Sequence, residues 1–354
     1  MARFENALAS YAMAANTRRS RSYSRDRCQP QQDIATQSRT SSLRILTFNI
    51  QSAWRAERSE EPLLPVARLL DAVGADINCL QEIQISDANA SGDQPAAVAR
   101  LLSDMSRQRW HHAFGSHHLF GSGAEFGNAV LWPGDSACHI RHPAYGVFNM
   151  DGDSDSKIGA HRQGRCAVGV LLAEPLHAAV VTVHLGFLAR GVEMIRELLD
   201  WLRQGEWAER TVILCGDFNT YPEEGINADN VWEKTGRYIE MMALLGKSGF
   251  LKTAGRGKLV PPEQSGLSPD VAVPEIAGGV YIDRRPQQPC FITFPYWTDQ
   301  GRHLDSHDHQ IDYFFVRPRR GVEVKVRQIV PVAAHGISDH HGLLLEIQLK
   351  ITED

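Results

Sequence analysis

Six segments between Thr47 and His341 carry polar groups at the ends of apolar, β-rich runs. They are Thr47-Phe48-Asn49-Ile50-Gln51, Leu80-Gln81-Glu82-Ile83, Thr182-Val183-His184-Leu185, Gly216-Asp217-Phe218-Asn219, Gln310-Ile311-Asp312-Tyr313 and Ser338-Asp339-His340-His341. A run that is apolar at every position suits a strand covered on both faces, because alternating polarity survives only where one face meets water. Polar groups confined to the ends of such strands lie on the rim of a sheet, where a rigid scaffold holds a chemical cluster in place. This pattern confines the chain to a layered α/β architecture and marks one edge of it as functional.

The elements between these runs follow. Leu43 to Asn49 alternates as a strand, and Pro62 to Val73 places Leu63, Val66, Leu69, Leu70 and Val73 at helical spacing before Gly74. Strands are predicted at 76–80, 128–132, 166–172, 178–184, 211–215, 311–316, 322–330 and 342–349, and helices at 95–105, 192–202 and 231–245. The short link between 172 and 178 implies an antiparallel pair. The expected architecture is two mixed, mainly antiparallel sheets packed face to face with helices outside, a four-layer α/β/β/α sandwich. It spans 42–352, preceded by an Arg/Ser-rich tail over 1–41. A Pro-rich loop insertion runs from about 252 to 309.

Composition sets few limits beyond these. The chain has 43% hydrophobic and 22% charged residues, within the range of globular proteins. No apolar run is long enough to span a bilayer. Seven arginines against three acids (Glu5, Asp26, Asp33) make the first forty residues basic, leaving a body near −9 within a net charge of −5. Such a body does not suit tracking nucleic acid by charge alone, though a local basic rim would still serve a nuclease. The tail reads as disordered, with an organelle-targeting or secretion signal as the other readings, and the body as soluble and cytoplasmic. Cys28, Cys79, Cys138, Cys166, Cys215 and Cys290 form no CxxC pair and are expected to be reduced thiols.

The strand-end groups match what phosphodiester hydrolysis requires: a cation site, a water-orienting group, a donor for developing charge and help for the leaving oxygen. Glu82 and Asp339 are hard-cation ligands, and Asn49 can hold Glu82 or the metal. Asp217 can orient water, and Asn219 can donate to a phosphate oxygen. Asp312 beside His340 would set its tautomer, making it a general base or a phosphate-gripping cation. His184 can polarise the phosphate or assist the leaving group.

In order and spacing these motifs resemble the endonuclease/exonuclease/phosphatase superfamily, with its DNase-like fold, over about residues 43–350. The resemblance implies magnesium-dependent phosphoester cleavage, with manganese as a substitute. It implies that Asn49, Glu82 and Asp339 gather at the metal, that Asp217 and Asn219 orient nucleophile and phosphate, that Asp312 pairs with His340, and that His184 is a further catalytic histidine. Asn128, in Gly127-Asn128-Ala129-Val130-Leu131, and Arg165 (or its neighbour Arg162) match substrate-side positions. Gln51 stands where DNase-like members carry a basic residue, and His309 where abasic-site endonucleases place an aromatic wall.

The expected function is therefore a nuclease or small-phosphodiester hydrolase acting as a monomer. The alternatives are a sphingomyelinase- or inositol-phosphatase-like enzyme acting on a lipid headgroup, and a catalytically silent binding module on the same scaffold. Two histidine-rich stretches, Trp110 to His118 and His303 to His309, read as polar loops near the rim, with a second metal site or cleft lining as the sharper reading. Thr293 to Trp297 offers an aromatic face for a base or headgroup, or for local packing.

Overall fold

A computed structural model describes residues 40–56, 61–86, 92–119, 124–134, 140–150, 165–172, 176–186, 189–220, 228–254, 258–260, 297–298, 301–302, 311–334 and 337–352. The first sheet contains β1 (Thr40–Asn49), β2 (Ile77–Ile85), β3 (Trp110–Leu119), β4 (Glu125–Pro133), β14 (Val322–Val332) and β15 (Gly342–Ile351), in the order β14-β15-β1-β2-β4-β3. The second contains β5 (Ile140–Met150), β6 (Arg165–Leu172), β7 (Ala178–His184), β8 (Thr211–Asp217), β9 (Leu251–Ala254), β10 (Lys258–Val260) and β13 (Asp312–Arg317), in the order β10-β9-β13-β8-β7-β6-β5. A small ribbon joins β11 (Trp297–Thr298) to β12 (Gly301–Arg302).

The sheets face each other across one apolar layer, in which Leu43, Ile45, Ile77 and Val130 meet Val168, Ile213, Cys215 and Phe314. Helices α1 (Leu64–Val73) and α2 (Gln94–Ser106) cover the outside of the first sheet, where Leu70 and Val98 pack with Leu46 and Leu80. Helices α3 (Ala189–Trp201) and α5 (Ala228–Lys247) cover the second, where Leu198 and Met241 pack with Val181 and Leu214. The short α4 (Gly205–Ala208) lies between α3 and β8. On β8, Ile213 faces the partner sheet while Val212 and Leu214 face the helices, so both faces are apolar and the run shows no alternation. The local stop signals also hold. Gly74 closes α1 at φ 59 with its N–H on the Leu70 carbonyl, and the Asp93 carboxylate caps α2 by accepting from Ala96 N.

Two parallel pairs position the rim. β1 runs parallel to β2 through α1, and β7 parallel to β8 through α3. Parallel neighbours end on the same side, so Asn49 comes level with Gln81, and His184 with Asp217. β13 is antiparallel to β8 and starts at that rim, with Asp312 opposite Asp217. β15 is antiparallel to β1 and also starts there, which brings Ser338, Asp339 and His340 in just ahead of it. Strand direction alone thus gathers six distant segments.

The structure departs from sequence expectation in three places. Trp110 to Leu119 is not a loop but β3, an edge strand paired with β4 along its length. Its faces alternate between Ala113, in the layer between the sheets, and Trp110 and Phe114, against the helices. The histidines disguised this alternation. β5, β9, β10, β11 and β12 were not foreseen, the last three lying within the expected loop insertion. β1 begins at Thr40, two residues before the expected domain start. Residues 1–39, the stretches 293–296 and 303–309, Arg162 and most of the 252–309 insertion lie outside the described residues.

Gly216 is the least replaceable of the rim residues. Its φ is 134, and a Cβ there would stand 2.0 Å from the Val183 carbonyl oxygen. Gly216→Ala is expected to destabilise the fold by more than about 2 kcal/mol, through backbone strain and the forced separation of β7 from β8. Chemical denaturation of the purified variant measures it.

Candidate active site

Asp217 is the hub of the rim. Its side chain is 2% exposed, and it lies among groups from both sheets. One Oδ1 lone pair accepts the Asn219 backbone N–H at 2.8 Å, and Oδ2 accepts from Asn49 Nδ2 at 3.1 Å. His184 Nε2 stands 3.5 Å from Oδ2 and His340 Nε2 3.7 Å from it. The Asn49 amide also donates to Glu82 Oε1 at 3.0 Å, so one side chain joins carboxylates of opposite sheets. Glu82 is the more open of these, with 26% of its side chain exposed.

Several of these positions need unusual backbone. Glu82 has φ 54 and Asn219 φ 48, both in the left-handed region that disfavours side chains. At Glu82 this conformation falls within a register shift between Leu80 and Ile83, a bulge that turns the carboxylate out of the strand pleat. Groups outside the recognised motifs support it. Ser52 Oγ donates to the Glu82 carbonyl at 3.0 Å, and the Gln94 amide donates to the Ser52 carbonyl at 2.9 Å while accepting from Gln84 N. Gln81 reaches across the seam beneath Glu82, donating to Thr182 Oγ1 at 2.7 Å and Thr47 Oγ1 at 3.0 Å. Ser338 Oγ donates to the Asn49 carbonyl at 2.7 Å and accepts from His340 N at 3.1 Å. Sequence reading did not single out Ser52, Gln94, Thr182 or Ser338 in these roles. Gln81 and Ser338 were flanking members of quoted motifs, and Ser52 and Gln94 gave no signal.

The two histidines are driven in opposite directions. Burial alone would lower His340, but the carboxylates of Asp312, Asp217 and Asp339 outweigh it and raise it to about 10. Its Nδ1–H donates to Asp312 Oδ2 at 3.0 Å, and the ring is cationic at neutral pH. His184 is held well below the usual histidine value, first by burial and then by the charge of Arg165 and the neighbouring His117 and His340. Arg165 NH1, which can only donate, lies 3.4 Å from His184 Nδ1. The neutral ring therefore accepts at Nδ1 and carries its proton on Nε2, facing Asp217 and Glu82. Burial, and next the Asp312 carboxylate, raise Asp217 to about 7 against relief from His340.

Glu82, His184 and Asp217 present ligand atoms within 4.8 Å of one another, as do Asp217, Asp312 and His340. Crowded carboxylates in a low-dielectric seam repel each other, and a hard divalent cation relieves that repulsion. Of the ten residues expected at the site, Asn49, Glu82, His184, Asp217, Asp312 and His340 meet directly. Asp339 belongs to neither of these two groups. It joins them through Gln51, whose Nε2 donates to Asp339 Oδ2 at 2.7 Å and whose backbone N–H donates to Asn49 Oδ1 at 3.0 Å. Asn219 adjoins Asp217 but commits one amide proton to the Leu185 carbonyl at 2.8 Å. Arg165 lies behind His184. Asn128 is fully buried and donates across the seam to the Cys166 carbonyl at 2.8 Å.

The sequence profile of the Endonuclease/Exonuclease/phosphatase family matches residues 46–340, and the chain belongs to that family. A search of curated protein sequences gives no match. Among solved structures, an endonuclease/exonuclease/phosphatase from Beutenbergia cavernae is 18% identical with a TM-score of 0.57, the alignment covering 88% of this chain and 72% of that one. A family protein from Leptotrichia buccalis is 17% identical with a TM-score of 0.56, covering 86% and 98%. ANGEL2, described as a 2′,3′-cyclic phosphatase, is 14% identical with a TM-score of 0.51, covering 90% and 99%. These likenesses extend the fold assignment to the DNase-like sandwich. No helix among the described residues is long and apolar enough to cross a membrane.

The shifts predict how stability varies with pH in metal-free protein. His340 is raised from 6.5 to about 10, so its contribution is complete below pH 6.5 and is lost as pH rises towards 10. Asp217, raised from 3.8 to about 7, acts in the same sense at lower pH, where His184 opposes it by losing stability as it is forced to protonate. The clean window therefore runs from neutrality to about pH 8, because above it the buried Cys79 and Cys166 thiols, raised from their ordinary 9.0, add a loss of the same sense. Unfolding free energy in chelator is expected to fall by on the order of 1 kcal/mol per pH unit there. His340→Gln should flatten that slope in denaturant titrations at several pH values.

Proposed function

We propose that this protein is a magnesium-dependent phosphoric ester hydrolase that cleaves a phosphodiester, in nucleic acid or a small molecule, by attack of water. The observation that carries the reading is Asp217 held between two imidazoles in opposite protonation states. Bound at Glu82, with Asn49 and Asp339 alongside, the cation would neutralise phosphate charge and favour ionisation of water. Asp217, with its affinity for a proton set near neutrality, orients the attacking water and takes its proton. His340, kept cationic by Asp312, grips a non-bridging phosphate oxygen and meets the negative charge that grows as water adds. Asn219 offers its second amide proton to the same phosphate. His184 carries its proton on Nε2, where it can donate to phosphate or leaving oxygen, and Arg165 fixes that tautomer. Asn128 braces the strands that present Arg165.

A silent module normally lacks a carboxylate or imidazole, and the clustering of Glu82, His184, Asp217, Asp312 and His340 supports the hydrolase over that alternative. The substrate class follows from a metal-supplemented screen over plasmid DNA, single-stranded RNA, nucleotides, sphingomyelin and inositol phosphates, with Glu82→Ala as the blank. On the best substrate, Asp217→Asn is expected to lower kcat by roughly 10³-fold, within the range for a general base, with the fold retained by circular dichroism. Wild-type turnover by Asp217→Asn would end this reading. Lipid or inositol substrates alone would move it to the headgroup-directed alternative.

A further inference from the structure

The opposite pole of the second sheet carries a feature that the rim chemistry does not use. β13 starts at the rim with Asp312 and ends at Arg317, five residues and roughly 17 Å of strand away. There the turn after α4 and the link from β13 to β14 flank an open cleft of about 670 Å³. Four arginines, Arg210, Arg317, Arg319 and Arg320, line it against a single acid, Glu209. The protein as a whole has a net charge of −5, so this is a local reversal of sign.

We propose that this cleft is a second, non-catalytic binding site for the phosphate of a small phosphorylated ligand of nucleotide size. Arg317 and Arg319 carry the argument, because neither has a carboxylate partner among the described residues. Arg317 NH2 donates to the carbonyls of Leu202 at 3.0 Å and Trp207 at 2.9 Å, and its guanidinium lies over the Phe250 ring. Those partners are uncharged. Burial, and then the nearby charge of Arg203, lower its proton affinity, as expected of a cation still lacking a counter-charge. Arg210 NH1 donates to the Leu172 carbonyl at 2.7 Å, and only its NH2 meets an acid, Glu206 at 3.0 Å. Arg319 is anchored through its backbone, whose N–H donates to Thr211 Oγ1 at 3.0 Å, and among the described residues its guanidinium has no hydrogen-bond partner. Fixed guanidiniums at Arg317 and Arg210 beside the uncommitted fork of Arg319 suit a tetrahedral oxyanion with several acceptor oxygens better than a single carboxylate. The volume falls within the range for small-molecule sites, larger than a lone phosphate requires.

The proposal is independent of the catalytic reading and is tested apart from it. Pyrophosphate and adenosine diphosphate are titrated calorimetrically into the full chain in chelator. The wild type is expected to bind both, and Arg319→Gln to weaken both by about tenfold, the loss of one charge-assisted fork. Arg320→Gln, at the exposed lip, should weaken them in the same direction. Arg165→Gln, at the rim, should change neither affinity by more than about twofold, since the length of β6, from Arg165 to Leu172, separates the two ends. Turnover of the best diester by Arg319→Gln should equal the wild type. No binding by the wild type, or weakening by Arg165→Gln alone, overturns the assignment. Binding of an oligonucleotide without terminal phosphate, and of neither small ligand, overturns it in favour of a nucleic-acid backbone surface.

Discussion

The Asn49 amide, which donates to Glu82 on its own sheet and to Asp217 on the other, is the interaction on which the rest of the site depends. Two facing sheets stand about 10 Å apart, too far for strand-end groups to meet unless side chains cross the gap. Within the layer between the sheets, apolar packing sets the spacing but is non-directional and holds no register at the rim. The directional bonds do that. Gln81 crosses to Thr182, Asn128 crosses to the Cys166 carbonyl, and Asn49 crosses to Asp217. They form a polar layer that closes the core and presents the carboxylates beyond it.

The same seam explains why the two histidines diverge. Both are buried, so desolvation pushes both toward neutrality. Their neighbours differ. His340 faces Asp312 with a direct hydrogen bond, and carboxylate charge overrides burial. His184 has Arg165 against its other nitrogen, and cationic charge adds to burial. One ring is held as a cation and the other as a neutral donor within a few residues' width. Asp217 lies between them with its own proton affinity raised by burial and then by Asp312. A cluster of this kind is electrostatically unfavourable in isolation, and its strained supports at Glu82 and Asn219 add to the cost. Such strain persists where surrounding structure over-determines it, here through Ser52, Gln94 and the β2–β4 bulge.

Much of this was legible in the chain. Apolar runs with polar ends located nearly every strand of the two central pairs, and helical spacing located α1, α2, α3 and α5. The ten expected site residues include every member of the two three-residue groups that the fold assembles. What escaped notice has physical reasons. β3 was hidden because histidines occupy an edge strand, where partial exposure tolerates them and the alternation of Ala113 with Phe114 is too short to stand out. Ser52 and Gln94 act through backbone carbonyls, and any residue offers a carbonyl, so no side-chain pattern announces them. The bond from Gln51 to Asp339 joins residues 288 positions apart, a pairing that local spacing does not encode.

By itself the sequence determined the strands that reach the rim and which chemical groups stand at their ends, because burial on both faces demands continuous apolar runs and expels polarity to the termini. Tertiary structure alone decided which of those ends meet, which histidine keeps its charge, and that four arginines share a cleft at the far pole. Strand direction and the crossing of two sheets set these distances, and electrostatic behaviour depends on distance and burial rather than on residue type.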